Sequence, residues 1–298
     1  MNQTKIRAIL ALLLTMFFWG SAAVFMRTLA LSLSPENSLA LRYVLVVLVN
    51  LAGLVALGTW RIKRADWGRF ALAGLAGMAG YNWFVNAGFA LVPAGMGAIT
   101  TMVEPLMIAL LAAVVLGEKL TRFVLIGVAI ASFGAVVLFW QDLTATAPSA
   151  VPLTGVVYLL LCCLCWAIYT ILSKPLLDRY DSFTVTAVTM IVAAPVLIGA
   201  ASEPLHHLAA RLDLRQWAEL LYLALASGIT GTLLWNYGAK HLSGTAAGTF
   251  LYLIPVIAVT CGAVILAEPV TPYIVTGGAL MLAGVAAAQF GPMLLMRR

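Results

Sequence analysis

Glu104 is the residue whose position most suggests chemistry, because it is the one acidic side chain placed deep within an apolar stretch of membrane length. An ionisable group in hydrocarbon is costly and is by default a functional candidate. Its carboxyl group is suited to receiving the amino group of a solute or to carrying a coupling proton. Alternatively, it stays protonated or bonds a neighbouring helix in a purely structural role.

Asparagine side chains recur in two apolar stretches at helical spacing. Asn82 and Asn86 are four residues apart, and Thr232, Asn236 and Lys240 repeat this interval. Residues four apart share one face of a helix, and an amide in hydrocarbon needs a partner. This face is therefore predicted to look inward, towards a solute or towards a neighbouring helix.

Aromatic residues accompany these amides. Trp19 and Trp166 are the strongest candidates for a cavity, because both lie in the middle of an apolar stretch and occupy related places in the two halves of the chain. A cavity of aromatic rings with a few amides suits an amphipathic organic solute and suits an inorganic ion poorly. The predicted substrate-binding residues are Trp19, Tyr81, Asn82, Asn86, Met102, Glu104, Trp166, Tyr169, Asn236 and Tyr252.

Residues for covalent or metal chemistry are not grouped in this sequence. The three histidines, His206, His207 and His241, fall in loops or at segment ends, and the four cysteines are interpreted as apolar packing residues. No nucleophile and base pair and no paired carboxylates occur within the apolar stretches. No catalytic residue, metal site or cofactor is predicted, and an intramembrane enzyme or a passive channel is a distant alternative.

The elements that must position these residues are membrane helices. Mean hydropathy is +1.04, and 63% of residues are hydrophobic while 9% are charged, which is far from the composition of a soluble domain. Apolar runs near the length needed to span a bilayer define ten segments. Segments 1 to 10 cover residues 6–31, 38–59, 70–91, 94–116, 123–140, 153–173, 183–201, 217–239, 246–267 and 273–295. The predicted fold class is an all-α integral membrane protein with ten transmembrane helices.

The second half of the chain repeats the first. Six residues recur after 150 positions: Asn86, Pro105, Glu118, Thr121, Gly127 and Gly134 match Asn236, Pro255, Glu268, Thr271, Gly277 and Gly284. Each unit holds five segments, so the second unit must enter the bilayer from the opposite side, as in many secondary transporters. The predicted units are residues 1–142 and 153–298, joined by an outer linker at 143–152.

Segments 4 and 9 carry repeat-related prolines in the middle of the membrane. Pro105 and Pro255 each remove a helical hydrogen bond and clash with the preceding turn, so both helices are predicted to bend there and to act as gating hinges. Harmless kinks are the alternative. Glu118 and Glu268 lie at the ends of these two segments and are predicted to organise the turn into the next helix.

Segments 5 and 10 are rich in small residues, including Gly127, Gly134, Gly277 and Gly284. Small side chains let helices approach closely in lipid. These two segments are therefore predicted to make scaffold or dimer contacts rather than substrate contacts, and the protein is expected to be a monomer or a homodimer.

Basic residues concentrate on one side of the predicted membrane topology. That side holds Lys5, Arg7, Arg61, Lys63, Arg64, Arg69, Lys119, Arg122, Lys174, Arg179, Lys240, Arg297 and Arg298, and the other side keeps Arg211 and Arg215. The positive-inside rule makes the first side cytoplasmic, with both termini there. The net charge of +6 is interpreted as a topology signal, and no nucleic-acid partner is predicted. A short interfacial helix is expected in the outer loop at 202–216.

These motifs together resemble a known family. In the first half they are Trp19-Gly20, Arg27, Glu104-Pro105 and Leu116-Gly117-Glu118, and in the second half Trp166, Lys174, Pro255 and Leu266-Ala267-Glu268. Over essentially its whole length the chain resembles the EamA-type members of the drug/metabolite transporter superfamily, in the branch of bacterial aromatic amino-acid exporters of the YddG type. It departs from the pattern at Ala167, which replaces the glycine, and at Ile254, which replaces the glutamate before the proline.

The resemblance implies export of aromatic and other neutral amino acids, or related small metabolites, across the bacterial inner membrane. The leading hypothesis is alternating access through a central, mainly apolar cavity built by segments 1, 3, 4, 6, 8 and 9. A drug or nucleotide-sugar carrier is the alternative. A nucleotide sugar would require several cations facing the cavity, and only Arg27, Arg42 and Lys174 are near candidates. Proton-coupled and facilitative transport both remain open.

Overall fold

The computed structural model of the chain describes residues 3–29, 32–91, 100–138, 140, 152–266 and 271–295. Over these residues the fold is α-helical. The predicted linker, apart from Pro152, lies outside them, as do Glu268 and the C-terminal arginines. The side chain of Arg27 is also outside the described part.

The first repeat consists of helices that match segments 1 to 5. Segment 1 is Gln3–Leu29, segment 2 is Pro35–Leu57, and segment 3 runs from Trp67–Leu72 through a π-helical stretch at Ala73–Gly80 into Tyr81–Leu91. The helical ranges described for segments 4 and 5 are Glu104–Leu116 and Arg122–Leu138. Gly117, at φ 67°, ends segment 4 in the left-handed conformation that glycine adopts most easily.

The second repeat has the same succession of elements. Segments 6, 7 and 10 are Leu153–Leu177, Ser182–Gly199 and Pro272–Leu295. Segment 8 runs from Leu214–Leu221 through a π-helical stretch at Tyr222–Thr230 into Gly231–His241. Segment 9 joins Gly244–Gly248, a 3₁₀ turn at Thr249–Tyr252 and Leu253–Leu266.

Hydropathy and length confirm the membrane class. Six of the described helices are long and apolar enough to cross a bilayer, and three shorter ones are also apolar. The loop at 202–216, which is predicted to lie on the outer side, contains the expected short helix, Leu205–Arg211. Asp213 begins segment 8 with a capping box. Its carboxylate accepts from the backbone N–H of Gln216, and the Gln216 side-chain oxygen accepts from the backbone N–H of Asp213.

Segments 5 and 10 pack directly against each other. A Cβ atom added at Gly127 would lie 2.5 Å from the Gly284 carbonyl oxygen, and one at Gly134 would lie 2.8 Å from that of Gly277. The earlier glycine of one helix meets the later glycine of the other, so the helices run antiparallel, as inverted repeats require. The predicted close packing of these helices is confirmed, and these small residues make their contacts within one chain.

The prolines of segments 4 and 9 coincide with helix breaks. Segment 4 has a turn at Met102 and Val103 and its helix restarts at Glu104, while segment 9 restarts at Leu253 after its 3₁₀ turn. Pro105 and Pro255 each lie in the first turn of the restarted helix, where a missing amide hydrogen is tolerated. The helix irregularity is thus repeated in the two halves. Its use as a hinge is a functional proposal.

The π-helical stretches of segments 3 and 8 are also repeated. They end at Gly80 and Thr230, which are 150 positions apart. Each immediately precedes the helix that carries the asparagine of its repeat. A π-helical stretch widens the helix and is frequent at functional sites, so both repeats change helical pitch beside the centre of the protein.

Candidate functional site

Five aromatic rings from both repeats meet in the middle of the molecule. We call Trp19, Tyr81, Trp166, Tyr169 and Trp235 the central aromatic cluster. The Trp166 ring is the hub: its centroid lies 5.1 Å from Trp19, 5.3 Å from Tyr81, 5.1 Å from Tyr169 and 5.6 Å from Trp235. Such spacings are typical of favourable edge-to-face and offset aromatic contacts. The structure thus brings four predicted site residues together and adds Trp235.

Two indole nitrogens of the central aromatic cluster are buried without a hydrogen-bond partner. The Trp19 Nε1 group donates to the Ser227 carbonyl at 3.0 Å, in the π-helical stretch of segment 8. By contrast, Nε1 of Trp166 and Nε1 of Trp235 have no acceptor within the described part of the chain. An unpaired buried donor costs about 1–3 kcal/mol, so its presence needs an explanation. Acceptor groups of a bound solute would supply one.

Asn236 extends the polar part of this centre. Its Nδ2 group donates to the Tyr169 hydroxyl at 2.7 Å and to Thr186 Oγ1 at 2.9 Å. Its Oδ1 atom is buried and has no donor among the described residues. Among the described residues, the centre therefore offers two unpaired donors and one unpaired acceptor beside the aromatic rings.

Asn82 is predicted to bind the substrate, but its side chain bonds groups of the protein. Its Oδ1 atom accepts from Arg42 Nη2 at 2.9 Å, and its Nδ2 group donates to the Met78 carbonyl at 2.8 Å. The amide therefore holds Arg42, a cation within segment 2 that is not among the predicted substrate-binding residues. Asn86 lies one helical turn further along segment 3 and is half-buried.

Glu104 lies beside the central aromatic cluster. Glu104 is 8% exposed. Its carboxyl group interacts electrostatically with Cys162 and with the Tyr81 hydroxyl. Tyr81 also lies within electrostatic range of Arg42. The Tyr81 side chain thus connects Glu104 and Arg42 to the cluster, because its ring packs on Trp166.

Tyr252 is separate from the ring contacts of the cluster. Its hydroxyl group pairs with Ser132 Oγ at 2.8 Å and donates to the Met102 carbonyl at 3.2 Å. The structure therefore places Tyr252 and Met102 together where segments 4, 5 and 9 meet. Pro105 and Pro255 are both buried in the same two helices, segments 4 and 9.

Glu118 contacts an element different from the one predicted. Its carboxylate accepts hydrogen bonds from the amides of Gly244 and Thr245, at 2.8 and 3.1 Å, and from Thr245 Oγ1 at 2.9 Å. It therefore caps the first turn of segment 9 in the other repeat, where an acidic group is favoured, instead of organising the turn into segment 5. The prediction for Glu118 was wrong because its partner is distant in sequence.

Lys174 supports the same end of the molecule from segment 6. Its ammonium group donates to the carbonyl oxygens of Ala239 and Leu242, at the C-terminal end of segment 8. A cation is favoured at that end of a helix. We call Glu118, Lys174 and the chain at 239–245 the end clamp, because two charged side chains from segments 4 and 6 hold the connection between segments 8 and 9.

The histidines of the outer loop do not join a site. His206 and His207 belong to the short helix Leu205–Arg211, and their rings contact each other, with centroids 4.2 Å apart. Within the described ranges, no group of three or more His, Cys, Asp or Glu side chains is arranged to hold a metal ion.

Two inverted helical repeats with a buried aromatic and polar centre between them are the architecture of a membrane transporter. The family comparison agrees with this architecture. The chain belongs to the EamA-like transporter family, whose model matches residues 6–140 and again 153–288. It is accordingly a multi-pass membrane transporter and not an enzyme.

Relatives that are named as transporters, exporters or efflux pumps support this class. The chain is 31% identical over 280 residues to a probable terminal-alkyne amino-acid exporter of Streptantibioticus cattleyicolor, covering 94% of this chain and 92% of that one. It is 24% identical over 210 residues to a probable amino-acid metabolite efflux pump of Escherichia coli, covering 67% and 69%. An uncharacterized transporter of Archaeoglobus fulgidus is 29% identical over 276 residues, covering 93% and 96%.

A solved structure shares the fold. One crystallised chain superposes with a TM-score of 0.81, covering 97% of this chain and 98% of that chain, at 20% sequence identity. At this identity the likeness concerns the fold alone.

Proposed function

We propose that the protein exports neutral amino acids, aromatic ones in particular, by alternating access. The observation that carries this proposal is the central aromatic cluster with its unpartnered Trp166 Nε1, Trp235 Nε1 and Asn236 Oδ1 atoms. Aromatic faces bind an apolar or aromatic side chain, while free donors and a free acceptor match the carboxylate and amino groups common to all amino acids. Two relatives are named as a probable terminal-alkyne amino-acid exporter and a probable amino-acid metabolite efflux pump, which supports amino acids as the class of solute.

In this proposal the two charged ends of the solute are bound by different groups. The two indole N–H groups donate to the carboxylate, as polar donors do to anions in water-poor sites. The amino group donates to Asn236 Oδ1 and approaches Glu104 across Tyr81. The solute side chain displaces part of the ring packing around Trp166 and takes its place.

The end clamp supplies one gate of the proposed cycle. Glu118 and Lys174 tie segments 4 and 6 to the connection between segments 8 and 9, so this end of the centre is closed while the contacts hold. Breaking them would let segment 9 move about the break that precedes Pro255. In the proposed orientation this end faces the cytoplasm of a bacterial cell, because the basic residues concentrate there.

The contacts of two cations argue against a nucleotide-sugar carrier. Such a solute needs cationic groups free to bind its phosphates. Arg42 donates to Asn82, and Lys174 donates to two backbone carbonyls. Both are therefore engaged within the protein. A lipophilic drug would still fit the aromatic rings, but it would leave the free donors and the acceptor unused.

Uptake into proteoliposomes tests the proposal. Purified protein is reconstituted, and entry of labelled phenylalanine, tryptophan, threonine and methionine is measured with and without an imposed pH gradient. We expect saturable uptake of all four, fastest for the aromatic pair. Ethidium and a nucleotide sugar serve as competitors. Absence of flux for every amino acid, together with transport of either competitor, would overturn the proposed substrate class.

Substitution of Glu104 decides how transport is driven. Glu104→Gln keeps the shape of the side chain but cannot exchange a proton at neutral pH. If Glu104 carries the coupling proton, the variant loses gradient-driven flux and retains exchange of labelled against unlabelled amino acid. We expect this outcome, because Glu104 is a buried carboxyl group that interacts electrostatically with Tyr81 of the central aromatic cluster.

The matched control for this substitution is Glu203→Gln. Glu203 lies in the outer loop, is 42% exposed and pairs with Arg211, so its loss should leave both fluxes unchanged. Flux in the wild type that ignores the gradient, with full activity of Glu104→Gln, would make the protein a facilitative carrier and Glu104 a structural residue.

A further inference from the structure

A groove on the outside of the helix bundle has no role in the transport cycle described above. It has a volume of about 260 Å³ and is apolar along its length. Segments 2 and 7 form its walls, and the loop between segments 2 and 3 closes one end. Its lining includes Leu54, Trp60, Ile62, Trp67, Val188 and Val192. We call it the tryptophan groove.

The two indoles of the tryptophan groove are turned outward. Trp60 is 63% exposed and Trp67 is 46% exposed. Exposed tryptophans that border a membrane helix sit at the level of the lipid headgroups, where an amphipathic ring is most stable. The closed end of the groove therefore lies at the membrane surface, and the apolar remainder extends beside the acyl chains.

Four cations lie in the chain segment that supplies Trp60, Ile62 and Trp67 to this end of the groove. Arg61, Lys63, Arg64 and Arg69 are all exposed, and none of them forms an ion pair within the described part of the chain. Arg61 lies between the groove residues Trp60 and Ile62, and Arg69 follows Trp67 by two positions. A cluster of cations beside a membrane helix attracts anionic lipid headgroups at the membrane surface.

The acidic residue of the same loop does not neutralise these cations. Asp66 is 1% exposed, and its carboxylate accepts from Arg179 Nη1 at 2.5 Å and from the Tyr180 hydroxyl at 2.8 Å. Burial raises the pKa of Tyr180, so this hydroxyl stays protonated as a donor. The four exposed cations therefore keep their charge available to an external anion.

We propose that the tryptophan groove binds one anionic phospholipid, with an acyl chain along the apolar walls and the phosphate beside the exposed cations. If these cations only set the membrane topology, they would not need an apolar groove beside them. The combination of an apolar slot, two interfacial indoles and unpaired cations fits both parts of a lipid with a negative headgroup. A zwitterionic lipid would fill the slot but would gain less from the cations.

Fluorescence quenching by brominated lipids tests this site. The full-length protein is placed in micelles and titrated with dibrominated phosphatidylglycerol or dibrominated phosphatidylcholine, because bromine quenches tryptophans that it contacts. The share due to the groove is the difference between the wild type and the Trp60→Phe/Trp67→Phe variant. We expect phosphatidylglycerol to quench this share at about a tenfold lower mole fraction, the effect of one to two cations at a headgroup. Equal quenching by the two lipids would overturn the proposal.

A charge variant locates the preference. In Arg61→Gln/Lys63→Gln/Arg64→Gln/Arg69→Gln the two titration curves should coincide, whereas Arg211→Gln/Arg215→Gln, in the outer loop, should retain the difference. If the first variant does not insert, raising the salt concentration on the wild type replaces it and should merge the curves, since exposed charges are screened. If phosphatidylglycerol is still preferred in the four-residue charge variant and at high salt, the proposed site is wrong. A dimer in which neither lipid quenches the groove would also overturn the site, because a second copy would then cover it.

Discussion

Trp166 shows how a single residue organises the proposed binding centre. Its ring contacts one aromatic residue in each of segments 1, 3 and 8, and it also contacts Tyr169 in its own helix. The indole nitrogen is nevertheless left without an acceptor in the described structure. If this position served packing alone, phenylalanine would fill it equally well. The polar atom of Trp166, like that of Trp235, therefore carries the functional argument.

Replacing Trp235 by phenylalanine isolates that polar atom. Trp235→Phe keeps an aromatic face and removes an unpaired donor, so the cost of the smaller ring is offset by relief of a desolvation penalty of about 1–3 kcal/mol. We expect the thermal unfolding midpoint to change little, while the KM for phenylalanine rises about tenfold, because a hydrogen bond to a charged group is lost. Both are measured on the purified and reconstituted protein.

Trp19→Phe is the matched comparison within the same cluster. Its indole nitrogen already donates to the Ser227 carbonyl, so this change breaks a bond of the protein and should lower the unfolding midpoint. If Trp235→Phe lowered the midpoint as much as Trp19→Phe and left KM unaltered, the unpaired donors would have no part in binding.

At the scale of helices, close contact between segments 5 and 10 is expected to set stability. Gly127→Ala would place a methyl group 2.5 Å from the backbone oxygen of Gly284, which cannot move without shifting a helix. Overpacking of this kind typically costs about 1–3 kcal/mol, so we expect a lower unfolding midpoint. Gly68→Ala, where a Cβ atom meets nothing within 4 Å, is the control. Equal midpoints for the two variants would contradict the tight packing.

Several elements could be predicted from the sequence because their cause is local or repeated. Pro105 and Pro255 mark helix breaks through their missing amide hydrogens, and the glycines of segments 5 and 10 mark a close contact through their size. The π-helical stretches at 73–80 and 222–230 could not be predicted in this way, because an apolar run has the same composition in an α-helix and in a π-helix. They became visible only from the backbone.

The candidate site divides in the same manner. The repeat pointed to Trp19 and Trp166, and the cost of buried amides pointed to Asn236. The pairing of Arg42 with Asn82 and the cap that Glu118 provides for segment 9 join residues 40 and 126 positions apart. Contacts between residues so far apart in sequence depend on how the helices pack. A single sequence does not reveal that packing. A charged residue within segment 2 was the one signal for Arg42.

For the whole molecule, the end clamp relates the symmetry of the fold to its proposed motion. Two inverted repeats can exchange conformations, so that each end of the centre closes in turn. In this structure Glu118 ties this end across the two repeats, and Lys174 holds the same end from within the second repeat. The contacts are charge-assisted, and Glu118 and Lys174 are only half-buried, so water can reach and replace them. They are therefore suited to a gate that opens and closes many times.

Weakening the clamp should open this end of the molecule. Glu118→Gln replaces charge-assisted bonds to the amides of Gly244 and Thr245 by weaker neutral ones. We expect amide hydrogen exchange over residues 239–248 to accelerate about tenfold, the effect of losing roughly 1.4 kcal/mol of local stability. Exchange should also rise at 166–170 and 231–236, because opening the gate admits water to the central aromatic cluster. Glu219→Gln, which breaks the ion pair with Arg215 at the opposite end, should leave all three regions unchanged. Acceleration confined to 244 and 245 would reduce Glu118 to a helix cap and remove the gate from the mechanism.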